Sequence, residues 1–251
     1  GGTVANDVLS AITLTAGANS VNNNFGELPP ASLGNRLWLD ADSDGLAIKA
    51  TDIKVAFETR IPVEVSDSGA ATVFCDKLSG ILASIPEGDI ELEADDSKAV
   101  VKPTFKKVRF QLKTIASDKF PELPAIDEAA YFSVPARELK DMISQTVFAV
   151  SDDETRYFMN GVFLERTDDG LAMVATDGRR LAYVRKHLEA TIPEFKGVIV
   201  PPKILHLIQK RASDEGLIEL AVTEKNLFVK FGSYRISSVL IEGQFPSYQK
   251  V

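Results

Sequence analysis

The stretch "DGLAMVATDGRR", from Asp169 to Arg180, has a near twin earlier in the chain, "DGLAIKATDIKV", from Asp44 to Val55. The offset of 125 residues that superposes these stretches also places "RLWL" at 36–39 on "GVFL" at 161–164. An internal match that extends beyond one phrase predicts two copies of one domain. The copies diverge directly after the Asp they share, where "GRR" stands in one and "IKV" in the other.

Composition marks the boundary between the two copies. The "FPELP" that closes the first copy matches "FPSYQ" near the end of the second, and the segment Pro121–Glu128 is rich in proline and acidic residues. Such segments commonly connect domains. We therefore predict domains at residues 1–123 and 129–251, joined by a linker at 124–128.

Each copy also contains helical patterns. In the second copy "SVPARELKDMI" resembles "IVPPKILHLI", because both place Val-Pro before a basic residue and continue with apolar residues at helical spacing. Since proline is tolerated at the start of a helix, we predict helices at Pro135–Phe148 and Pro201–Ala212. Weaker helical patterns in the first copy lie at Asn6–Leu14 and Asp76–Ser84.

Between the helices, short apolar runs predict strands. "FETRIPVEV" at 57–65, "IELAV" at 218–222, "LFVKF" at 227–231 and "YRISSVLI" at 234–241 alternate or run apolar between turn signals. In the doubled phrase, Asp-Gly is expected to supply the positive φ of a tight turn, and the residues after it the returning strand. The sequence therefore predicts an α+β domain of about two helices and many antiparallel strands, built twice.

Composition limits the class of protein. The 251 residues are 45% hydrophobic, which is enough for buried cores, and the single Cys75 excludes an internal disulfide. No apolar run reaches the length of a membrane span, and no basic leader precedes one, so we expect a cytoplasmic protein without membrane association. The net charge of -8 argues against indiscriminate coating of nucleic acid and leaves room for a local basic surface.

Metal binding and catalysis are poorly supported. "DADSDG" at Asp40–Gly45 resembles the start of an EF-hand loop, but Thr51 stands where a bidentate Glu belongs, so we interpret it as an acidic hairpin turn. The two histidines, His187 and His206, are best interpreted as solvated side chains. With no phosphate loop and no cluster of metal-ligand spacing, we predict no cofactor, no metal site and no enzyme.

Basic residues recur on the predicted helices. Their spacing in the later helix places them on one face while the apolar residues face the strands. Such a stripe is ordinarily the solvated side of an amphipathic helix; the alternative is a surface for DNA phosphates. The residues concerned are Arg137, Lys140, Lys203, His206, Lys210 and Arg211.

Several phrases in the second half resemble the bacterial DNA polymerase III beta subunit, the DNA sliding clamp. They are "TRYFMNGVFLE", "VATDGRRLAY", "VIVPPKILHLI" and "EGQFPSYQKV", which stand in the family's order and spacing. The first half resembles the family more loosely, through "LGNRLWLDADSDGLAIKATD" and "KFPELP". Four phrases in register are a far more specific signal than any one of them.

The resemblance implies the DNA clamp fold, in which each domain consists of two βαβββ-like units with antiparallel sheets outside and helices on the inner face. Two subunits of the family close head-to-tail into a ring around double-stranded DNA and act as the processivity factor of the replicative polymerase. The basic helix residues would then face the DNA. A family subunit has three domains. Because this sequence opens on Gly1 without Met and resembles only two of them, we expect a fragment that lacks the third.

The resemblance also implies a motif groove that binds short peptides of the replicative polymerase, the clamp loader and repair proteins. The first copy lacks the Gly-Arg-Arg, and we predict that it binds no such peptide. Plain core or surface roles remain open for individual groove residues, and a duplicated α+β binding module unrelated to replication remains the alternative, with an unseen hydrolase site as a third. The matching residues are Arg156, Tyr157, Phe158, Met159, Thr176, Gly178, Arg179, Arg180, Leu181, Pro246 and Val251.

Overall fold

The chain divides into two compact units, Gly1–Leu123 and Pro124–Val251. The computed structural model describes residues 9–14, 36–86, 88–115, 120–125 and 130–250. Among these residues, none of the helices combines the length and the hydrophobicity of a transmembrane segment. The elements of each unit follow in chain order.

The described part of the first unit consists of short strands and one helix. The elements are β1 (Leu9–Leu14), β2 (Arg36–Asp42), β3 (Gly45–Thr51), β4 (Val55–Ile61), β5 (Glu64–Asp67), β6 (Gly69–Phe74), α1 (Cys75–Ser84), β7 (Ile90–Ala94), β8 (Lys98–Pro103) and β9 (Phe110–Ile115). The strands follow one another in the order β4-β3-β2-β6-β9-β8-β7-β1-β5.

The second unit repeats a βαβββ pattern twice. The first repeat is β10 (Phe132–Pro135), α2 (Ala136–Ser144), β11 (Val162–Thr167), β12 (Gly170–Thr176) and β13 (Leu181–His187). The second is β14 (Val198–Val200), α3 (Pro202–Arg211), β15 (Leu217–Val222), β16 (Asn226–Phe231) and β17 (Tyr234–Val239). Its strands form the sheets β13-β12-β11-β14 and β10-β15-β16-β17.

The repeats exchange their first strands. In the second unit, β10 pairs with β15 of the other repeat, and β14 pairs with β11. The first unit shows the same exchange, since β1 pairs with β7 and β6 pairs with β2. All of these pairings are antiparallel, so the two units share strand connectivity as well as the doubled phrase, and each repeat depends on the other for a complete sheet.

Helix packing follows the apolar spacing of the sequence. In α2 the buried side chains include Leu139, Met142 and Ile143, at the spacing of one helical face. In α3 the buried residues include Ile204 and Ile208, which lie one turn apart. Burying a side chain of this size contributes about 1.5–3 kcal/mol each, so the apolar faces hold the helices against the sheets.

The structure confirms most of the predicted elements and corrects three. The helix predicted at Pro135–Phe148 ends at Ser144. The helix predicted at Asn6–Leu14 is wrong where the structure describes it, because Leu9–Leu14 is β1, and its β-branched residues suit a strand that pairs on both edges. The run at 57–65 is two strands rather than one. It breaks at Pro62, which has no N–H to donate to a sheet.

The two Asp-Gly turns need glycine for different reasons. Gly45 has φ +118°, as the sequence predicted. Gly170 does not lie in the left-handed region, and its prediction was wrong on this point. A Cβ on Gly170 would stand 2.0 Å from the carbonyl oxygen of Lys186, so close approach of the neighbouring strand excludes every side chain there.

The shared Thr-Asp pair builds the same turn in both units. Each Thr hydroxyl accepts a hydrogen bond from the N–H two residues later and donates one to the carbonyl four residues later. For Thr176 these bonds are 3.0 and 2.7 Å long. For Thr51 both are 3.0 Å long. Each Asp carboxylate accepts hydrogen bonds from the N–H groups two and three residues later. These bonds are 2.9 and 3.1 Å long for Asp177. They are 3.0 and 2.7 Å long for Asp52. The shared residues therefore specify one backbone conformation.

This conformation requires a positive φ at the residue after the Asp. Gly178 has φ +85° in the second unit, and Ile53 has φ +79° in the first. Glycine adopts this region freely, whereas a branched side chain there costs about 1–2 kcal/mol. Ile53 is 86% exposed, so little packing offsets the strain.

We predict that Ile53→Asn stabilises the first unit by about 1 kcal/mol, because asparagine tolerates the left-handed region. The free energy of unfolding can be followed by the fluorescence of Trp38, the single tryptophan of the chain. Lys54→Asn, one residue on, is the matched control and is expected to change stability by less than about 0.5 kcal/mol. Equal effects of the two substitutions would contradict the strain at Ile53.

Candidate functional site

The turn that follows β12 is rigid and carries exposed arginines. The backbone N–H groups of Arg179 and Arg180, which donate to the carboxylate of Asp177, hold the pKa of that carboxyl below its usual range. The Nε of Arg180 donates to the other carboxylate oxygen at 3.0 Å. Gly178, Arg179 and Arg180 are all exposed. A fixed backbone thus presents two cationic side chains to solvent.

The "RYFMNG" phrase lies next to this turn. It forms a 3-10 segment, Glu154–Met159, whose first turn is capped by the Asp153 carboxylate. Asp153 also accepts from the Nε of Arg156 at 2.9 Å. A Cβ on Gly178 would stand 3.0 Å from a terminal nitrogen of Arg156. The structure therefore brings together two predicted groove segments that stand apart in sequence.

The "GQFPSYQ" phrase packs against the same region. Phe245 is buried and stacks on Phe163 of β11, with 4.9 Å between ring centroids and an interplanar angle of 11°. A Cβ on Gly243 would stand 3.1 Å from the Cβ of Phe158. The first unit contains the matching stack of Phe120 on Trp38, at 6.2 Å and 24°. The aromatic stack is thus scaffold that both copies share.

Tyr248 fixes the end of this phrase. Its hydroxyl donates to the Glu165 carboxylate, its ring lies 5.7 Å from that of Tyr183, and its N–H donates to the carbonyl of Pro246 at 2.8 Å. Burial and then the bond to Glu165 raise the pKa of Tyr248 to about 12. The segment around Pro246 is therefore held by side chains of β11 and β13.

The structure separates the predicted groove residues into surface and scaffold. Tyr157 is 54% exposed and Leu181 is 39% exposed, so both can contact a ligand. Met159 and Thr176 are buried, at 5% and 8%, and the hydroxyl of Thr176 is engaged in the turn. Val251 lies outside the described residues. The remaining residues, which are exposed or half-buried, are Arg156, Phe158, Gly178, Arg179, Arg180 and Pro246.

One exposed aromatic residue beside these segments was missed in the sequence. Phe148 lies in a 3-10 turn, Val147–Ala149, and is 58% exposed. The guanidinium carbon of Arg180 lies 5.7 Å from its ring centroid, within cation–π range. In the sequence Phe148 continues the apolar pattern of the helix predicted at Pro135–Phe148, but α2 ends at Ser144.

The predicted basic surface lies on the solvent side of the helices. On α3, His206 and Lys210 are exposed, and Lys203 and Arg211 are half-buried. On α2, Arg137 is exposed, but Asp141 and Ser144 share its solvent-facing side. The positive face is therefore more uniform on α3 than on α2.

Lys140 has a structural role within the unit. Its Nζ donates to the carbonyl of Ala212, just after α3, at 3.1 Å, and it also pairs with the Asp214 carboxylate. A cation at the C-terminal end of a helix interacts favourably with the helix dipole. Lys140 therefore ties α2 to the end of α3, which makes it a poorer candidate for contact with DNA than the exposed residues.

The acidic residues at the turn between β2 and β3 are engaged in contacts within the first unit, as expected for a hairpin turn. Asp42 accepts from the guanidinium of Arg60, and its carboxylate also accepts from the N–H of Asp44 at 2.8 Å. Among the described residues, no group of three or more His, Cys, Asp or Glu has an arrangement suited to a metal ion.

Cys75 is buried, and this burial raises the pKa of its thiol.

Two related families match the chain. The family described as DNA polymerase III beta subunit, central domain, matches residues 133–247, and that described as DNA polymerase III beta subunit, N-terminal domain, matches residues 29–124. The chain belongs to the DNA polymerase III beta subunit family. The two matches follow each other along the chain, as the duplicated strand connectivity does.

Relatives and solved structures agree with this family. The beta sliding clamp of Treponema pallidum (strain Nichols) is 44% identical over 220 residues, which are 88% of this chain and 59% of the relative. The crystal structure of the DNA polymerase III subunit beta from Pseudomonas aeruginosa has a TM-score of 0.85 at 25% identity, over 96% of this chain and 67% of that one. These matches confirm the predicted α+β clamp fold. The chain spans less than two thirds of the length of the Treponema relative.

A further solved relative contains a ligand. It is a sliding clamp (DNA polymerase III subunit beta) from Pseudomonas aeruginosa bound to griselimycin, with a TM-score of 0.82 and 26% identity. The superposition covers 97% of this chain and 68% of that one. Ligand binding is therefore recorded for a member of the family whose fold matches this chain.

We predict that Tyr248 gives the second unit an alkaline limit of stability. Since its folded pKa of about 12 exceeds the ordinary value of 10, the stabilisation is complete below pH 10 and is lost as the pH rises towards 12. The free energy of unfolding, measured by urea titration at each pH, is expected to fall more steeply for the natural protein than for Tyr248→Phe. Tyr157→Phe, at an exposed tyrosine, is expected to keep the natural slope. Identical slopes for all three proteins would contradict the assignment.

Proposed function

We propose that this chain is part of a sliding clamp that acts as a processivity factor in DNA replication and has no catalytic site of its own. The observation that carries the proposal is the surface of the second unit, where an exposed Gly-Arg-Arg turn adjoins the "RYFMNG" segment on a scaffold that the first unit repeats without those residues. The family membership of both units supports it. A duplicated binding module unrelated to replication is not favoured, because such a module has no reason to match both clamp domains.

The proposed assembly is a head-to-tail ring. Two full-length subunits, each with a third domain beyond the two present here, would encircle double-stranded DNA in the cytoplasm with their helices on the inner face. The mechanism is topological: encirclement holds a tethered polymerase near its template, so that effective concentration replaces tight binding. Weak, sequence-independent contacts to phosphates suit a ring that slides.

The proposed motif groove combines apolar area with cationic edges. Tyr157 and Leu181 offer exposed apolar surface, and Arg179 and Arg180 offer donors for the polar groups of a peptide. Tyrosine and arginine are among the residue types that most often dominate binding energy at interfaces. The proposed ligands are short motifs of the replicative polymerase, the clamp loader and repair proteins.

We predict that Leu181→Ala weakens the binding of a fluorescein-labelled polymerase-motif peptide about tenfold, because the peptide would no longer bury this apolar side chain, a loss of about 1.4 kcal/mol. Fluorescence anisotropy titration measures the dissociation constant. The fold tolerates the change, since Ala56 occupies the equivalent strand position in the first unit, opposite Thr51 as Leu181 lies opposite Thr176.

Leu217→Ala is the matched control for this experiment. Leu217 is 60% exposed and lies on β15, in the other sheet of the second unit. Its substitution is expected to leave the dissociation constant unchanged. If the natural full-length protein neither binds the peptide nor raises polymerase processivity on primed circular DNA, the proposed function is wrong.

We predict that reversing the charge of both Lys203 and Lys210 to Glu impairs retention of the full-length ring on circular DNA and leaves peptide affinity unchanged. Each lost phosphate contact is expected to reduce the slope of log affinity against log salt by about one. Lys196→Glu, at an exposed lysine outside the helices, is the control and is expected to retain DNA normally. Equal losses of DNA retention and peptide binding would indicate misfolding instead.

A further inference from the structure

Phe148 is poorly placed for a structural role and well placed for contact with a ligand. Its neighbour Ala149 is fully buried and anchors the 3-10 turn, whereas the Phe148 ring is 58% exposed. The guanidinium of Arg180 lies near the ring, at 5.7 Å from the centroid. An apolar ring left this far in solvent gains by being covered.

Arg180 is fixed on two sides. Its Nε donates to Asp177 at 3.0 Å, and that same carboxylate is held by the N–H groups of the turn. Phe148 lies near the guanidinium carbon. Within the described part of the chain, the terminal amino groups of Arg180 donate no hydrogen bond to protein. They can therefore donate to a carboxylate with little loss of side-chain freedom.

The arginines at the turn differ in how they are paired. Arg156 pairs with Asp153, and Arg180 pairs with Asp177. Because the carboxylates of Asp152 and Glu154 are also exposed in the neighbouring segment, an acidic ligand would be held by the donors of Arg180 rather than by a net positive charge. The first unit offers no counterpart, since Val55, which is equivalent to Arg180, is 2% exposed.

We propose that Phe148 extends the motif groove at Arg180, and that the two residues form a subsite at the edge of the groove that binds an aromatic side chain next to a carboxylate in a docking peptide. The inference rests on the proposed function and adds a specificity to it. The aromatic side chain covers the exposed ring of Phe148, and the carboxylate accepts from the free amino groups of Arg180.

The test uses one polymerase-motif peptide in five synthetic forms. One form is the parent, two carry Phe-Glu at one end or the other, and two carry Ala-Gln at the same places. Anisotropy titrations with the full-length natural protein are expected to show one Phe-Glu form binding about five- to tenfold more tightly than its Ala-Gln counterpart. In Phe148→Ala this difference is expected to vanish while the parent peptide binds as before. Phe105→Ala removes a phenylalanine that is 43% exposed in the first unit and is expected to keep the difference.

The outcomes separate this inference from the proposed function. If the parent peptide binds and responds to Leu181→Ala, but no Phe-Glu form gains affinity, the subsite is wrong and the groove stands. A gain that survives in Phe148→Ala overturns the subsite equally. If the parent peptide does not bind the natural protein at all, the proposed groove and the proposed subsite are both wrong.

Discussion

A threonine hydroxyl and an aspartate carboxylate fix the turn on which the candidate site depends. Together they satisfy three backbone N–H groups and one carbonyl in each unit, and they force the residue after the aspartate into the left-handed region. Because these bonds are local, the turn keeps its shape whatever side chains follow. That independence allows one copy to present Gly178 and two arginines, and the other to present Ile53 and Lys54, on the same backbone.

The exchange of first strands holds this turn in place at the level of the unit. Strand β12, which leads into the turn, is buried along its whole length and pairs on both sides. Its neighbour β11 receives β14 from the other repeat and also supplies Phe163 and Glu165, which hold Phe245 and Tyr248. The exposed residues of the proposed groove thus stand on a sheet that neither repeat completes alone, which suits a surface that must be preformed for binding.

Local features of the sequence predicted much of this arrangement. The doubled phrase, the helix starts at proline and the strand runs follow from short-range rules, and the structure confirms them with modest shifts of their ends. Contacts between distant residues could not be predicted in this way. The sequence predicted Lys140 as a basic surface residue, because its partner Asp214 lies far along the chain. The sequence predicted Phe148 as part of a helix. Its exposure follows from the end of α2 at Ser144, which the apolar spacing does not indicate. The close approach behind Gly170 likewise arises only when β13 folds back.

Hydrogen–deuterium exchange with and without the polymerase-motif peptide tests the central claim most directly, because both twin turns report in one experiment. The claim is that function resides where the copies diverge and not in the scaffold they share. The peptide is expected to slow exchange at residues 154–159 and 177–181 of the second unit, and to leave residues 51–56 of the first unit unchanged. Protection of both turns, or of the first alone, would contradict the account.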